Sequence, residues 1–335
     1  MSSEPSLPSS PTEAEDAPTR DPEFRDLMEE ALSYHESALS ESTRRAYQAG
    51  WEDFADFCAE HDLPLMPSTE HAVVLFLTER ARRLSASTLK QRLAAIQHVH
   101  DQRDEESPTR SKPVRDVMRG IRREEDRTPR QAKALLSEDV KQMVDALPTG
   151  EDGPPGLRAL RNRALLLIGY AGALRRSELA VLQREDVKDR KEGLLITIPE
   201  SKTDQKGEGQ QIAIRAVGGD YCPVAALAEW LGAAGIESGA LFRGVRQDGR
   251  LRPNAITGQT VGNVVKDAAQ AANLSEADRI TGHSLRAGHI TQASKNDVPD
   301  GLIQAHSRHK SDRAFREYVR PEKLMEDTPS AKLGL

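Results

Sequence analysis

Apolar residues recur at three- and four-residue spacing along most of this chain, and that periodicity confines it to a fold of packed helices. Only two stretches alternate as strands do, LLITIP (194–199) and QQIAIRAV (210–217). The polar run SKTDQKGEG joins them, which predicts one hairpin with a long tip. The helical pattern lapses over EEDRTPRQAK (124–133), and this linker divides the 335 residues into two domains, the number that length alone suggests. Before the linker, Ser40 offers a cap for a helix whose Ala46, Tyr47, Trp51, Phe54, Ala55 and Cys58 share one face. HAVVLFLTERARR and a segment aligning Leu89, Leu93, Ile96 and Val99 add two more helices, and residues 23–38 read as another. After the linker, Ser137 is expected to cap SEDVKQMVDAL. LRALRNRALLLIGYAGAL is apolar on most sides and should be the buried core helix. Residues 223–335 return to helical spacing. Residues 1–22 hold five prolines and almost nothing to bury, so a disordered acidic tail is expected there.

The net charge of −6 argues at first against a partner as acidic as nucleic acid, but its distribution reverses that inference. Residues 1–36 carry −8, residues 37–79 carry −6 and residues 134–335 carry +1. Residues 80–133 carry +7, with fifteen basic side chains that include Arg82, Arg83, Lys90, Arg92, Arg115, Arg119, Arg122 and Arg123. Such a run is either a solvated face or a groove that follows phosphates. No apolar run approaches 18 residues and the start is not a signal peptide, so no membrane is expected and a cytoplasmic location is. Two scattered cysteines, Cys58 and Cys222, build neither a disulfide scaffold nor a zinc site.

Several motifs come close to known chemistries and fail. Ser87 to Lys90 fits S-x-x-K by chance spacing. The run from Gly282 to Arg286 starts like a nucleophile elbow but has arginine where the turn requires glycine. His98, His100, His306 and His309 lack metal-ligand spacing, and no nucleotide-binding glycine motif occurs, so neither metal nor cofactor is expected. One set remains: Arg175 and Glu178 in A-L-R-R-S-E-L, Lys202 on the hairpin, His283 and Arg286 in H-S-L-R, then His309 and Tyr318. Two guanidiniums, two imidazoles, an ammonium and a phenol suit reaction at a phosphodiester. An attacking phenolate builds a pentacoordinate phosphorane whose charge needs donors fixed in advance. A tyrosine titrating near pH 10 requires a base and a positive field, and a leaving sugar oxygen requires a proton. Taken singly, Arg175 could simply pair with Glu178, His309 could cap a helix and Tyr318 could be half-buried core.

The ordered set R-x-x-E, hairpin K, H-x-x-R, H-K-S and Y, over roughly 39–319, resembles the tyrosine recombinase (phage integrase) family. The bundle segments T-R-R-A-Y, L-S-A-S-T-L-K-Q-R-L and V-M-R-G-I-R-R-E support the likeness. The resemblance implies a mainly α fold: a helical core-binding (SAM-like) bundle over 23–123, the linker, and an α+β catalytic domain over 134–321 with a small antiparallel sheet. It makes Arg175 and Arg286 a phosphate clamp, with His283 and Glu178 in the same site. Lys202 would be the general acid, with Lys206 the weaker candidate, His309 would bind the phosphate, and Tyr318 would form a 3′-phosphotyrosine. It places Thr43, Arg45, Ser87, Thr88, Gln91, Arg92, Arg122, Arg123 and Gln259 at DNA. Arg308 departs from the pattern, because glycine usually precedes the histidine.

Family likeness further implies double-stranded DNA with inverted-repeat half-sites and a homo-oligomer, a dimer on one site and a tetramer in synapsis. Residues 322–335 would dock on a neighbouring protomer. Only a short tail precedes the bundle, so no arm-binding domain is expected, and the host would be a bacterium, phage, plasmid or archaeon. A topoisomerase of type IB, relaxing one duplex, and a catalytically silent DNA-binding protein of the same fold are the alternatives.

Overall fold

The computed structural model describes residues 39–125, 132–148, 156–199, 209–309 and 315. The chain separates into two compact units that meet in sequence between Pro129 and Arg130. The helix expected over 23–38 lies outside the described residues.

In the first unit, four helices follow caps that the sequence supplies: α1 (Glu41–Glu60), α2 (Glu70–Arg80), α3 (Ala86–Gln102) and α4 (Lys112–Glu124). Ser40, Thr69, Ser85 and Ser111 each accept a backbone N–H of the first turn, so an otherwise orphaned donor is satisfied at every start. Trp51, Phe54 and Phe57 from α1, Phe76 and Leu77 from α2 and Leu89, Ile96 and Val99 from α3 are all at most 2 % exposed. Each such side chain contributes about 1.5–3 kcal/mol by leaving water. Gly50 lets α1 approach α3, since a Cβ there would stand 2.7 Å from that of Ala95.

Two ionisable side chains of the first unit are interior. Arg80, counted in the basic run, is 5 % exposed, lies 5.5 Å from both the Phe57 and Phe76 ring centroids, and donates to Asp53 at 2.9 Å. It therefore cannot serve a phosphate; aromatic faces and a carboxylate replace its water. His100 is fully buried, with Nε2 2.9 Å from Ser68 Oγ and Nδ1 donating to the Ile96 carbonyl.

The second unit begins with α5 (Ser137–Asp145) and α6 (Leu157–Ala171). Leu136, not Ser137, occupies the cap of α5; Asp139 reaches back to accept the Leu136 N–H at 2.8 Å, while Ser137 Oγ turns 3.0 Å toward Tyr170 Oη. The core is organised around α6, whose Leu160, Ala164, Leu165, Leu166, Leu167 and Ile168 are all buried. A short helix, α7 (Arg176–Val181), follows, and then strands β1 (Val187–Arg190), β2 (Gly193–Ile198) and β3 (Gln210–Arg215). They form one antiparallel sheet in the order β1-β2-β3. Leu194 faces Ile214 and Ile196 faces Ile212, which places the alternating apolar residues on the core side. The hairpin is as expected, although its tip, 200–208, lies outside the described residues.

Beyond it come α8 (Pro223–Ala234), the hairpin β4 (Arg243–Val245) and β5 (Leu251–Ala255), α9 (Gly258–Ala271), α10 (Ser284–Lys295) and α11 (Asp300–Ser307). Strand β1 and the second hairpin were not expected. Their sequences, VKDR, RGV and LRPNA, are short and mostly polar, and backbone pairing holds them instead of an apolar face. Trp230 on α8 is fully buried, with its indole N–H on the Leu241 carbonyl. No described helix is long and apolar enough to cross a membrane.

Candidate active site

The last carbonyls of any helix lack intrahelical donors and carry partial negative charge, so they attract cations and N–H groups. At the end of α6 this rule assembles a site. The chain leaves the helix through Gly172 and Ala173, the latter at φ +46°, and turns into α7. Four successive carbonyls then receive side chains from far along the chain. Tyr170 accepts from His289 Nδ1 at 2.9 Å, Ala171 from His306 Nε2 at 2.9 Å, Gly172 from Arg308 Nη1 at 3.2 Å, and Ala173 from Arg286 Nη1 at 2.9 Å and Arg308 Nη2 at 3.2 Å. A carbonyl only accepts, so the proton sits on Nδ1 of His289 and Nε2 of His306. The two imidazoles stack with centroids 4.9 Å apart. α10 and α11 are thereby fixed against the end of α6, and with them Arg286 and His309.

Arg175 stands at the start of α7. Its backbone N–H donates to Glu178 Oε2 at 2.8 Å, and its guanidinium pairs with Glu178 Oε1 at 2.5 Å while remaining 35 % exposed. The simple pairing open at the level of sequence therefore exists, and it leaves part of the guanidinium facing solvent. Glu178 is 6 % exposed and also accepts from Arg308 Nη2 at 2.8 Å. Burial alone would raise its carboxyl, but the Arg308 charge, the Arg175 N–H and the Arg175 guanidinium hold it below its usual range.

Arg286, on α10, is 4 % exposed, and its Nη2 lies 3.3 and 3.4 Å from the two ring nitrogens of His309. His309 follows α11, with Nδ1 2.9 Å from Ser307 Oγ. Burial, then the charges of Arg286, Arg175 and Arg308, push its imidazole down to about 4. His283 caps α10. Crowding by the surrounding protein, then the charges of Arg176, Arg286 and Arg175, lower it against the opposing pull of Glu178. Both imidazoles are thus neutral at neutral pH, able to donate or accept a hydrogen bond without adding repulsion to the guanidiniums. Of the expected catalytic set, Arg175, Glu178, His283, Arg286 and His309 come together here. Lys202, Lys206 and Tyr318 lie outside the described residues.

Three groups escaped the sequence reading. His289 and His306 carry no motif, and Arg308 registered only as a departure from glycine. It adopts φ +59°, a conformation costing an ordinary residue about 1–2 kcal/mol. Its hydrogen bonds to the His306, Gly172 and Ala173 carbonyls and to Glu178 outweigh that cost, at about 0.5–1.5 kcal/mol for a neutral acceptor and more for the carboxylate. The available signal was a basic residue immediately before His309 in a helix-ending segment.

The candidate DNA residues are more dispersed. α1 and α3 run antiparallel, with Tyr47 against His98, Gly50 against Ala95 and Asp53 against Arg92. Thr43 and Arg45 therefore stand at the opposite end of the pair from Ser87 and Thr88, roughly 18–22 Å away by helical rise. Arg45 pairs with Glu41, and Arg92 Nε lies 3.0 Å from Asp53 Oδ2, off the hydrogen-bond direction. Gln91, Arg122, Arg123 and, in the second unit, Gln259 are exposed, the last bonded to Asn263 at 2.9 Å.

The chain is also similar to known proteins in sequence and in fold. Residues 133–325 match the phage integrase family, and residues 30–103 match the phage integrase N-terminal SAM-like domain. An integrase/recombinase xerD homolog of Selenomonas ruminantium is 32 % identical over 296 residues, covering 87 % of this chain and 85 % of the relative. The recombinase cre of Escherichia phage P1 is 27 % identical over 257 residues, covering 74 % and 71 %. Among solved structures, the XerH site-specific recombinase bound to a palindromic difH substrate superposes with a TM-score of 0.60 at 17 % identity, covering 86 % of this chain and 79 % of that one. A lambda integrase dimer bound to a COC′ core site gives 0.59 at 17 % identity, covering 89 % and 76 %. With a SAM-like bundle, a mainly helical second unit bearing small antiparallel sheets, and this clustered set of arginines and histidines, the chain belongs to the phage integrase family of tyrosine recombinases.

Proposed function

We propose that this recombinase cuts and rejoins DNA strands through a 3′-phosphotyrosine on Tyr318, within a tetramer that brings two sites together. The observation that carries the reading is the convergence of Arg175, Arg286 and two neutral imidazoles at the end of α6. Arg175 and Arg286 hold the non-bridging oxygens of the scissile phosphate and offset the charge that grows in the phosphorane. Glu178 keeps Arg175 in place. His309 hydrogen-bonds the phosphate, the neutral His283 accepts the proton that Tyr318 gives up, and Lys202 gives the leaving 5′ oxygen its proton. The phosphodiester is exchanged for a phosphotyrosine, so its bond free energy is kept and a second strand's 5′ hydroxyl can reverse the step without ATP. Neither a metal nor an organic cofactor has a part in this sequence of steps.

The first unit would bind the same duplex, using Arg82, Arg83, Lys90, Arg122 and Arg123 for phosphates. Thr43, Arg45, Ser87, Thr88, Gln91, Arg92 and Gln259 would face the grooves of inverted-repeat half-sites. Residues 322–335 would dock on the neighbouring protomer. The test is a supercoiled plasmid carrying two copies of a site recovered by binding selection. Deletion or inversion of the intervening DNA is expected. Relaxation without exchange would reassign the protein to topoisomerase chemistry, and neither outcome would leave only DNA binding.

A further inference from the structure

We propose that Arg308 is a positioning residue of the phosphate site: it balances the buried Glu178 carboxylate, so that Arg175 keeps its positive charge for a substrate phosphate. The inference rests on the phosphate-clamp reading above and extends it to a residue that does not touch substrate.

The Arg308 side chain is 3 % exposed and its guanidinium is turned inward, onto Glu178 and the carbonyls of Gly172, Ala173 and His306. Its Nε is buried and makes no hydrogen bond among the described residues. Its guanidinium is thus committed to acceptors within the protein, and its effect on the reaction passes through those neighbours. Glu178 is the neighbour that matters. Its two oxygens engage the Arg175 backbone N–H, the Arg175 guanidinium and Arg308. Were Arg175 its only cationic partner, the two charges would cancel, and the exposed part of Arg175 would face a phosphate with little net field. With Arg308 present, the carboxylate is shared between two guanidiniums. Arg175 is then held by a partner that no longer neutralises it.

The same residue fixes the turn that presents His309. Arg308 is the left-handed C-cap of α11, and its side chain bonds to the Ala173 carbonyl that also accepts from Arg286. Glycine would adopt that backbone more easily. An arginine at a strained position, with four acceptors arranged around it, points to a requirement for its charge.

The two contributions separate by substitution. Full-length protein labelled at histidine is titrated with inorganic phosphate at constant ionic strength, and binding is read from the His309 resonance, assigned with His309→Gln. Arg308→Met and Arg308→Gly are each expected to weaken phosphate binding about tenfold, the effect of one charge lost at short range in a partly screened site. Arg308→Lys recovers part of that loss. The double variant Arg308→Met/Glu178→Gln returns to within about threefold of the parent, because no buried carboxylate then cancels Arg175. A brace for the turn alone predicts the reverse: Arg308→Gly like the parent, and no recovery in the double variant. Either result overturns the proposal. Thermal unfolding identifies folded variants, and the Arg308→Lys against Arg308→Gly comparison decides if Arg308→Met does not fold. A parent protein that binds no phosphate would remove the clamp reading together with this one, whereas parental binding that is insensitive to Arg308 removes this one alone.

Discussion

Gly288 is the position where one added methyl should do most damage to the second unit. It lies on α10, two residues after Arg286, and a Cβ there would stand 1.7 Å from the Leu135 carbonyl oxygen and 2.5 Å from its carbon. Both are backbone atoms, so no side-chain rotation relieves the clash. The segment leaving the linker must retreat by roughly 1.3 Å to reach the 3.0 Å below which real Cβ contacts are not found. That retreat breaks the Leu135 N–H bond to the Ser284 carbonyl, now 3.2 Å long, and loosens Leu135, which is fully buried. Overpacking strain of about 1–3 kcal/mol and a lost hydrogen bond of about 1 kcal/mol, less about 1 kcal/mol of improved helix propensity, leave about 1–3 kcal/mol. At about 2–4 °C per kcal/mol for a unit of this size, the melting temperature falls by about 2–12 °C. The assay is built into the sequence, since of the two tryptophans Trp51 lies in the first unit and Trp230 in the second. In a Trp51→Phe background, fluorescence reports Trp230 alone. Gly232→Ala is the control: it sits on α8 with nothing within 4 Å, so it should raise stability by up to about 1 kcal/mol. If Gly288→Ala melted with that control, the packing of the linker end on α10 would be wrong.

Further expectations concern charge and base choice. The folded second unit holds His289 at about 4, through burial and then His306, against an ordinary value of 6.5. The unfolded chain therefore binds more protons at acid pH. His289 contributes fully to stability above pH 6.5 and loses it as pH falls toward 4, a cost on the order of 3 kcal/mol. Trp230-monitored urea unfolding across that range measures the slope, and His289→Gln should flatten it. In the first unit, Asp53→Ala leaves buried Arg80 with fewer partners and should destabilise that unit by about 2–4 kcal/mol, read through Trp51 in a Trp230→Phe background. Gln reads adenine where Arg reads guanine, so Gln259→Arg should alter base preference in a selection on randomised sites. Identical selected sequences would remove Gln259 from the groove.

The helical bundle and the β2–β3 hairpin were legible because apolar periodicity and capping residues are local signals. The Trp51, Phe54 and Cys58 stripe is buried as its spacing implies. Arg175, Arg286 and His309 were singled out for another reason, the resemblance of their ordered set to the tyrosine recombinases, and the structure brings them together. What sequence could not reveal is long-range. Nothing local says that carbonyls 170–173 await side chains from positions 286 to 308, or that Arg80 leaves the basic face to lie between two phenylalanines. β4 and β5 were missed because pairing, not side-chain alternation, makes them strands. Arg308 was read against a pattern that favours glycine, and only its four acceptors explain why arginine is there.

Covalent trapping tests the central claim most directly. A duplex carrying the selected site is nicked beside the cleavage position so that religation is lost, then incubated with the full chain and resolved under denaturing conditions. Strand exchange through Tyr318 predicts a protein–DNA adduct that peptide mapping places on Tyr318, and that disappears in Tyr318→Phe while binding to the intact site persists. An adduct on another residue, or none from a protein that binds the site normally, would contradict the account.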